Sequence, residues 1–137
     1  MDWKLELIAL PVSDVDRAKA FYVDHVGFHL DHDQRVSDAI RFVQLTPPGS
    51  ACSIAFGDGI SRLEPGSLEG LQLVVSDVDA ARAHLLEHGV GASDVQVYPW
   101  GRFVFFSDPD GNDWAVQELP DRSRGATTGE PASPDAR

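Results

Sequence analysis

The chain has 137 residues, 42% of them hydrophobic and 24% charged, the proportions of one soluble globular domain with a core of modest size. Its 22 acidic residues against 11 basic ones give a formal charge of −11, which repels phosphate backbones and anionic membrane surfaces and argues against nucleic acid or membrane as a partner. A single cysteine, Cys52, excludes an internal disulfide and a cysteine-based zinc site; with no signal-peptide pattern after Met1 and no apolar run of the roughly 20 residues that span a bilayer, a cytoplasmic protein is expected.

Leu5 to Val12 reads as a strand, and Ser13 or Asp14 can cap the helix that follows by accepting a hydrogen bond from its free N–H groups. Ala18, Phe21, Tyr22 and His25 fall at helical spacing, and Gly27 supplies a left-handed C-terminal residue. Three strands are predicted next, over 28–36, 39–45 and 50–56, the last two separated by Thr46-Pro47-Pro48-Gly49. The glycine-rich stretch after Phe56 reads as a linker. The order then repeats: a strand over 71–75, a helix from about Val78 to His88, strands over 95–98 and 103–107, a turn at Asp108-Pro109-Asp110-Gly111, and a strand over 114–119. From Pro120 no large apolar side chain remains, so 120–137 is expected to be a disordered tail.

The repetition is literal. Val-Ser-Asp-Val-Asp occurs at Val12 to Asp16 and again at Val75 to Asp79, and Arg41-Phe42-Val43 recurs as Arg102-Phe103-Val104. The chain is therefore read as α+β, a single domain over 4–119 made of two tandem βαβββ modules, 4–57 and 70–119, joined by a linker over 58–69.

Strand alternation fixes which residues share a face. Val43, Leu45, Ile54, Phe56, Val104, Phe106, Trp114 and Val116 are predicted beneath the helices. The opposite face collects Leu7, Phe42, Gln44, Ser53, Ala55 from the first module and Gln72, Phe103, Phe105, Ala115, Gln117 from the second. Buried amides need hydrogen-bond partners, so this mixture of aromatics, amides and small residues suits a pocket lining or a seam between units or chains.

Two βαβββ units of this kind, with the closing stretch Phe106-Ser107-Asp108-Pro109-Asp110-Gly111-Asn112-Asp113-Trp114-Ala115-Val116-Gln117-Glu118-Leu119, resemble the glyoxalase/bleomycin-resistance/dioxygenase family, the vicinal oxygen chelate superfamily. The resemblance covers about Leu5 to Leu119. It implies a curved mixed sheet around a cavity, often completed by a second, sometimes strand-exchanged, subunit, so a homodimer is expected. It also implies that metal-dependent relatives would hold a divalent ion with one side chain from the first and one from the last strand of each unit. Those positions are Leu7, Ser53 or Ala55, Gly70 and Ala115 here, which offer almost no donors. No metal and no cofactor is expected at that centre; a divalent ion is left only a non-standard site.

Other strings have ordinary readings. His84-Leu85-Leu86-Glu87-His88 matches a zinc-peptidase motif but ends a helix, where histidines favour the dipole. His25, His29 and His32 lie close in sequence, yet His29 and His32 have opposite strand parity. Asp108-Pro109-Asp110-Gly111 is turn chemistry as readily as a calcium loop. Trp100 and Arg102 are placed at a cavity mouth, and Cys52 by parity on the helix side.

The expectation is a metal-free protein that binds a small aromatic or amphipathic molecule, with drug sequestration as a role. Phe42, Phe103 and Phe105 would line the site and Gln44, Gln72 and Gln117 would supply hydrogen bonds, with Leu7, Ser53, Trp100, Arg102 and Ala115 beside them. The alternative is an isomerase, lyase or dioxygenase using a displaced metal or polar residues alone.

Overall fold

The computed structural model describes residues 1–120; of the predicted disordered tail, all but Pro120 lies outside the described residues. The first module consists of β1 (Leu7–Ala9), α1 (Val15–Ala20) running directly into a π-helical segment (Phe21–Val26), β2 (His29–Arg35), β3 (Arg41–Thr46) and β4 (Ser53–Asp58). The second repeats it as β5 (Leu71–Val75), α2 (Val78–Glu87), β6 (Gln96–Tyr98), β7 (Gly101–Ser107) and β8 (Asp113–Glu118). The sheets have corresponding orders, β1-β4-β3-β2 and β5-β8-β7-β6, with β1 parallel to β4, β5 parallel to β8 and the remaining pairs antiparallel. The architecture is α+β, with two separate four-stranded sheets.

The repeated pentapeptide works as a cap. Its aspartates at 14 and 77 hold the extended N-cap conformation and accept hydrogen bonds from Arg17 N–H (3.0 Å) and Ala80 N–H (3.1 Å), so Asp14, not Ser13, is the cap. β1 is shorter than expected because Pro11 has no N–H to donate; single backbone bonds from Leu10 and Ser53 extend the pairing by one residue at each end.

The two helices end differently. The pentapeptides are 63 positions apart, whereas the terminating glycines Gly27 and Gly89 are 62 apart, so the first helix carries one additional residue. It is absorbed as the π turn: Gly27 N–H reaches back five residues to the Tyr22 carbonyl at 2.9 Å, and Phe28 N–H shares that acceptor at 2.8 Å.

The helix-covered faces of both sheets meet in one core. Val43, Leu45, Ile54 and Phe56 from the first sheet and Val104, Phe106, Trp114 and Val116 from the second belong to a single buried cluster with Val15, Ala18, Val78 and Leu85 of the helices. These eight strand residues, predicted beneath the helices, are all buried, whereas Cys52, placed on the same side by parity, is not. Tyr22 lies between the sheets, its ring 5.9 Å from Phe56 and 5.8 Å from Trp114. Its hydroxyl donates to Asp108 Oδ2 (2.7 Å) and accepts from Trp114 Nε1–H (2.9 Å). Asp108 Oδ1 takes three backbone N–H groups of its own turn, and Asn112 Nδ2 bridges Asp108 to the Pro11 carbonyl. The turn predicted at Asp108 to Gly111 is thus the bolt that joins the modules.

A second junction lies at the helix C-termini. His25 Nδ1 donates to the His88 carbonyl (2.6 Å), His84 Nε2 to the Val26 carbonyl (2.9 Å) and His88 Nδ1 to the His84 carbonyl (2.7 Å). A carbonyl only accepts, so each of those ring nitrogens carries a proton, and among the described residues no third His, Cys, Asp or Glu joins His84 and His88 in a metal-binding group. The zinc-peptidase-like string is a helix-end clasp.

The linker is anchored. Gly66 N–H bonds the Pro11 carbonyl (3.3 Å), and at Gly66 (φ 80°) an added Cβ would lie 2.0 Å from the Asp110 carbonyl oxygen. Cys52, predicted to be a small core residue, is instead half-buried ahead of β4.

Candidate binding site

Because the helix-covered faces share one core, the other face of each sheet turns outward, and the two outward faces differ in chemistry. On the first, Leu7, Phe42, Gln44 and Ser53 come together as predicted by alternation. Their polar atoms form a directed chain: Gln44 Nε2 donates to Ser53 Oγ (3.3 Å), Ser53 and Thr46 hydroxyls lie 2.6 Å apart, and Thr46 Oγ1 donates to Asp31. Since Thr46 gives its proton to the carboxylate, Ser53 must donate to Thr46. His29 Nε2 is 3.7 Å from the same carboxylate, and the bulge at Asp31 sets His32 opposite Gln44 as His29 is opposite Thr46, so the two histidines share this face, contrary to the parity read from the sequence.

The second outward face forms a concave site of about 390 Å³, within the size range of small-molecule pockets. Its floor comes from the parallel pair β5 and β8 through Gly70, Gln72 and Ala115. Its wall comes from β7 through Phe103 and Phe105, from the end of β6 through Tyr98 and from the β6–β7 turn through Trp100. Phe103 and Phe105 lie parallel, 6.0 Å apart with an interplanar angle of 6°. Tyr98 stacks on Trp100 at 5.1 Å and 14°, and meets Phe103 edge-on at 5.6 Å and 75°. Phe103 is buried whereas Phe105 (37%) and Tyr98 (38%) remain exposed, so aromatic surface is presented to whatever enters.

Hydrogen bonding on the floor is also directed. Gln117 Nε2 donates to the Trp100 carbonyl (3.0 Å), which turns its Oε1 to accept from Gln72 Nε2. Gln72 Oε1 keeps both lone pairs for a ligand. Gln117 therefore holds Gln72 and the Trp100 loop in place without itself lining the site. Gly70 has φ 85°, with open space where a Cβ would be built, so the floor at this end depends on a residue without a side chain.

Of the eleven residues singled out from the sequence, Gln72, Trp100, Phe103, Phe105 and Ala115 line this pocket. Leu7, Phe42, Gln44 and Ser53 lie on the other sheet. Arg102 differs most from expectation. Its guanidinium lies on the helix side, paired to Asp79 (2.9 Å) and Glu118 (3.5 Å), and this pairing holds the Asp79 carboxyl below its usual range. Alternation along β7 explains the placement, because Arg102 shares parity with Val104 and Phe106. The sequence reading missed Tyr98, Glu69 and Asp113, the last two carboxylates at the pocket edge.

A divalent ion does not fit the positions at which metal-dependent relatives would hold one. The register pairs Ala9 with Ala55 and Gln72 with Ala115, and Ala9 corresponds to Gln72 in the repeat, making Ala55 the counterpart of Ala115. Leu7, Ala55, Gly70 and Ala115 bring no donor, and the Ser53 hydroxyl is committed to Gln44 and Thr46. Among the described residues, no three His, Cys, Asp or Glu side chains converge, and no helix is long and apolar enough to cross a membrane.

Comparison with known proteins accords with this geometry. The model of the Glyoxalase/Bleomycin resistance protein/Dioxygenase superfamily matches residues 4–116. TnmS3, an antibiotic binding protein from Streptomyces sp. CB03234, is similar in structure with a TM-score of 0.79 and 41% identity, over 87% of this chain and 98% of that one. A glyoxalase/bleomycin resistance protein from the same organism superposes with a TM-score of 0.75 and 43% identity, over 84% of this chain and all (100%) of that one. YaeR of Escherichia coli strain K12 is 35% identical over 113 residues, 76% of this chain and 87% of that protein. The chain belongs to the glyoxalase/bleomycin resistance protein/dioxygenase superfamily.

Proposed function

We propose that the protein binds and sequesters a small, flat organic molecule, of the antibiotic class, in the pocket over β5, β7 and β8. The observation that carries this reading is the set of parallel and edge-on aromatic rings left partly exposed around an amide acceptor, Gln72. A planar ligand would extend the Phe103–Phe105 stack while a donor on its edge met Gln72 Oε1. Likeness to an antibiotic binding protein at 41% identity supports the same reading. The lone, half-buried cysteine supports a working place in the reducing cytoplasm.

The unit of function in this reading is a homodimer. Val74 (63% exposed) shares the outward face of β5 with Gln72, and Trp3 (88%) and Leu5 (68%) are exposed apolar side chains ahead of β1; a second copy set over them would close the pocket's open side. An enzymatic reading would need a general acid, base or nucleophile set against the bound molecule, and the titratable side chains lining the pocket are Glu69, Asp113 and Tyr98.

The test is tryptophan-fluorescence titration and thermal shift against a panel of planar aromatic antibiotics, with Phe105→Ala as the discriminating variant. Binding should quench Trp100, and removing the half-exposed Phe105 ring should weaken it about tenfold while leaving the melting temperature nearly unchanged. If no member of the panel shifts either signal, or if Phe105→Ala binds as tightly as the parent, the reading is wrong.

A further inference from the structure

We infer that the pocket selects planar aromatic cations over neutral or anionic molecules of the same shape, an inference that rests on the binding reading above. Three observations carry it. Two carboxylates, Glu69 and Asp113, line the pocket, and no Lys, Arg or His does. They stand where the parallel pair begins, directly before Gly70 and Trp114, so both lie at one end of the floor. Asp113 Oδ1 accepts from Ser107 Oγ (2.7 Å), which fixes the carboxylate while leaving Oδ2 available.

The second observation is the place of Arg102, the cation of β7. The register pairs it with Glu118, at the far end of β8 from Asp113, and its guanidinium is on the opposite side of the sheet, held by Asp79 and Glu118. Nothing basic therefore offsets Glu69 and Asp113 from within the pocket.

The third is the wall itself. The faces of Tyr98, Trp100, Phe103 and Phe105 carry negative quadrupole potential, which attracts a delocalised cation and does nothing for an anion. The chain's formal charge of −11 adds a long-range field of the same sign that draws cations toward the site. Rings, rim and net charge all favour one class of ligand: a flat, conjugated cation whose charged edge faces Glu69 and Asp113 and whose ring system extends the aromatic stack.

Three acridines of one shape separate charge from stacking: 9-aminoacridine as the cation, acridine as the neutral form and acridine-9-carboxylate as the anion, titrated at pH 7.5. In low salt the cation should bind about tenfold more tightly than acridine, and the anion more weakly than either; in 0.5 M salt the cation's advantage should shrink to about threefold or less. The double variant Glu69→Gln/Asp113→Asn should bring the ratio of cation to acridine affinity, both measured on the variant, to about one. Both carboxylates are exposed, so the variant should fold, and the salt series on the parent gives an independent reading. Equal affinity of cation and neutral form in the parent overturns the charge inference alone. So does a preference that survives the double variant. Failure of all three acridines to bind overturns the binding reading itself and this inference with it.

Discussion

Replacing Tyr22 by phenylalanine removes one oxygen from the centre of the molecule. The side chain is fully buried, and its hydroxyl joins Asp108 of the second module to Trp114 beneath it. Two bonds are lost: a donation to a carboxylate, contributing about 1.5–3 kcal/mol, and the acceptance from Trp114 Nε1–H, whose buried donor is left with a cost of about 1–3 kcal/mol. Asp108 keeps Asn112 and three backbone N–H groups, so its charge stays compensated and the total falls toward the lower part of that range. The expected loss is about 2–4 kcal/mol, or roughly 10 °C in melting temperature for a domain of this size. Urea melts followed by circular dichroism from pH 7 to 11 give a second signature. Burial first, and the Asp108 carboxylate second, push the Tyr22 hydroxyl well above its ordinary pKa of 10. The folded chain keeps this proton when the unfolded chain releases it, so the contribution is whole below about pH 10 and falls by about 1.4 kcal/mol per pH unit above it. Tyr22→Phe lacks that term, and the stability gap between parent and variant should narrow between pH 10 and 11. A variant within about 2 °C of the parent at pH 7, or a gap independent of pH, would refute the assignment of this hydroxyl as the inter-module bolt.

Gly66→Ala should cost at least about 2 kcal/mol in chemical denaturation, because the new Cβ meets the Asp110 carbonyl oxygen at 2.0 Å in a left-handed conformation; Gly49→Ala, at φ 83° with open space around it, should cost only about 1–2 kcal/mol. Asp33, bonded first by Arg41 and then by Lys19, has its carboxyl held well below the usual carboxylate range. That stabilisation is present above about pH 4 and is lost as pH falls below it, so Asp33→Asn should be less stable at pH 7 and show a shallower acid limb in melts from pH 5 to 2. Gln72→Met should leave the fold stable, since Gln117 keeps the Trp100 carbonyl, but weaken a donor-bearing ligand about fivefold to tenfold against its methylated analogue in direct titration.

Periodicity made the core legible before any coordinates. A period of two, anchored by the duplicated pentapeptide, placed Val43 through Val116 under the helices, because one face of each sheet is packed and a slip of one residue would invert every side chain. The same rule, followed strictly, assigns Arg102 to the helix side and Asp113 to the pocket side with Ala115. Charge near an aromatic run was a weaker guide than parity. The π turn left only a one-residue difference between glycine spacings, and helix propensity contains no sign of it. Tyr98 and Glu69 were out of reach for another reason. Each lies at a strand end, where the loop path rather than alternation decides which way a residue faces. The division of the candidate residues between two outward faces depends on how the modules pack, and no local pattern encodes that.

The shared core has a consequence for how the molecule holds together as a chain. Neither βαβββ unit owns a complete interior: Tyr22 of one is satisfied only by Asp108 and Trp114 of the other, and the histidine clasp crosses the same divide. Cutting the backbone between the units, at the exposed Arg62–Leu63 bond, should therefore yield two fragments that are unstructured apart and refold when mixed. The connection contributes effective concentration, and the interlocking side chains contribute recognition.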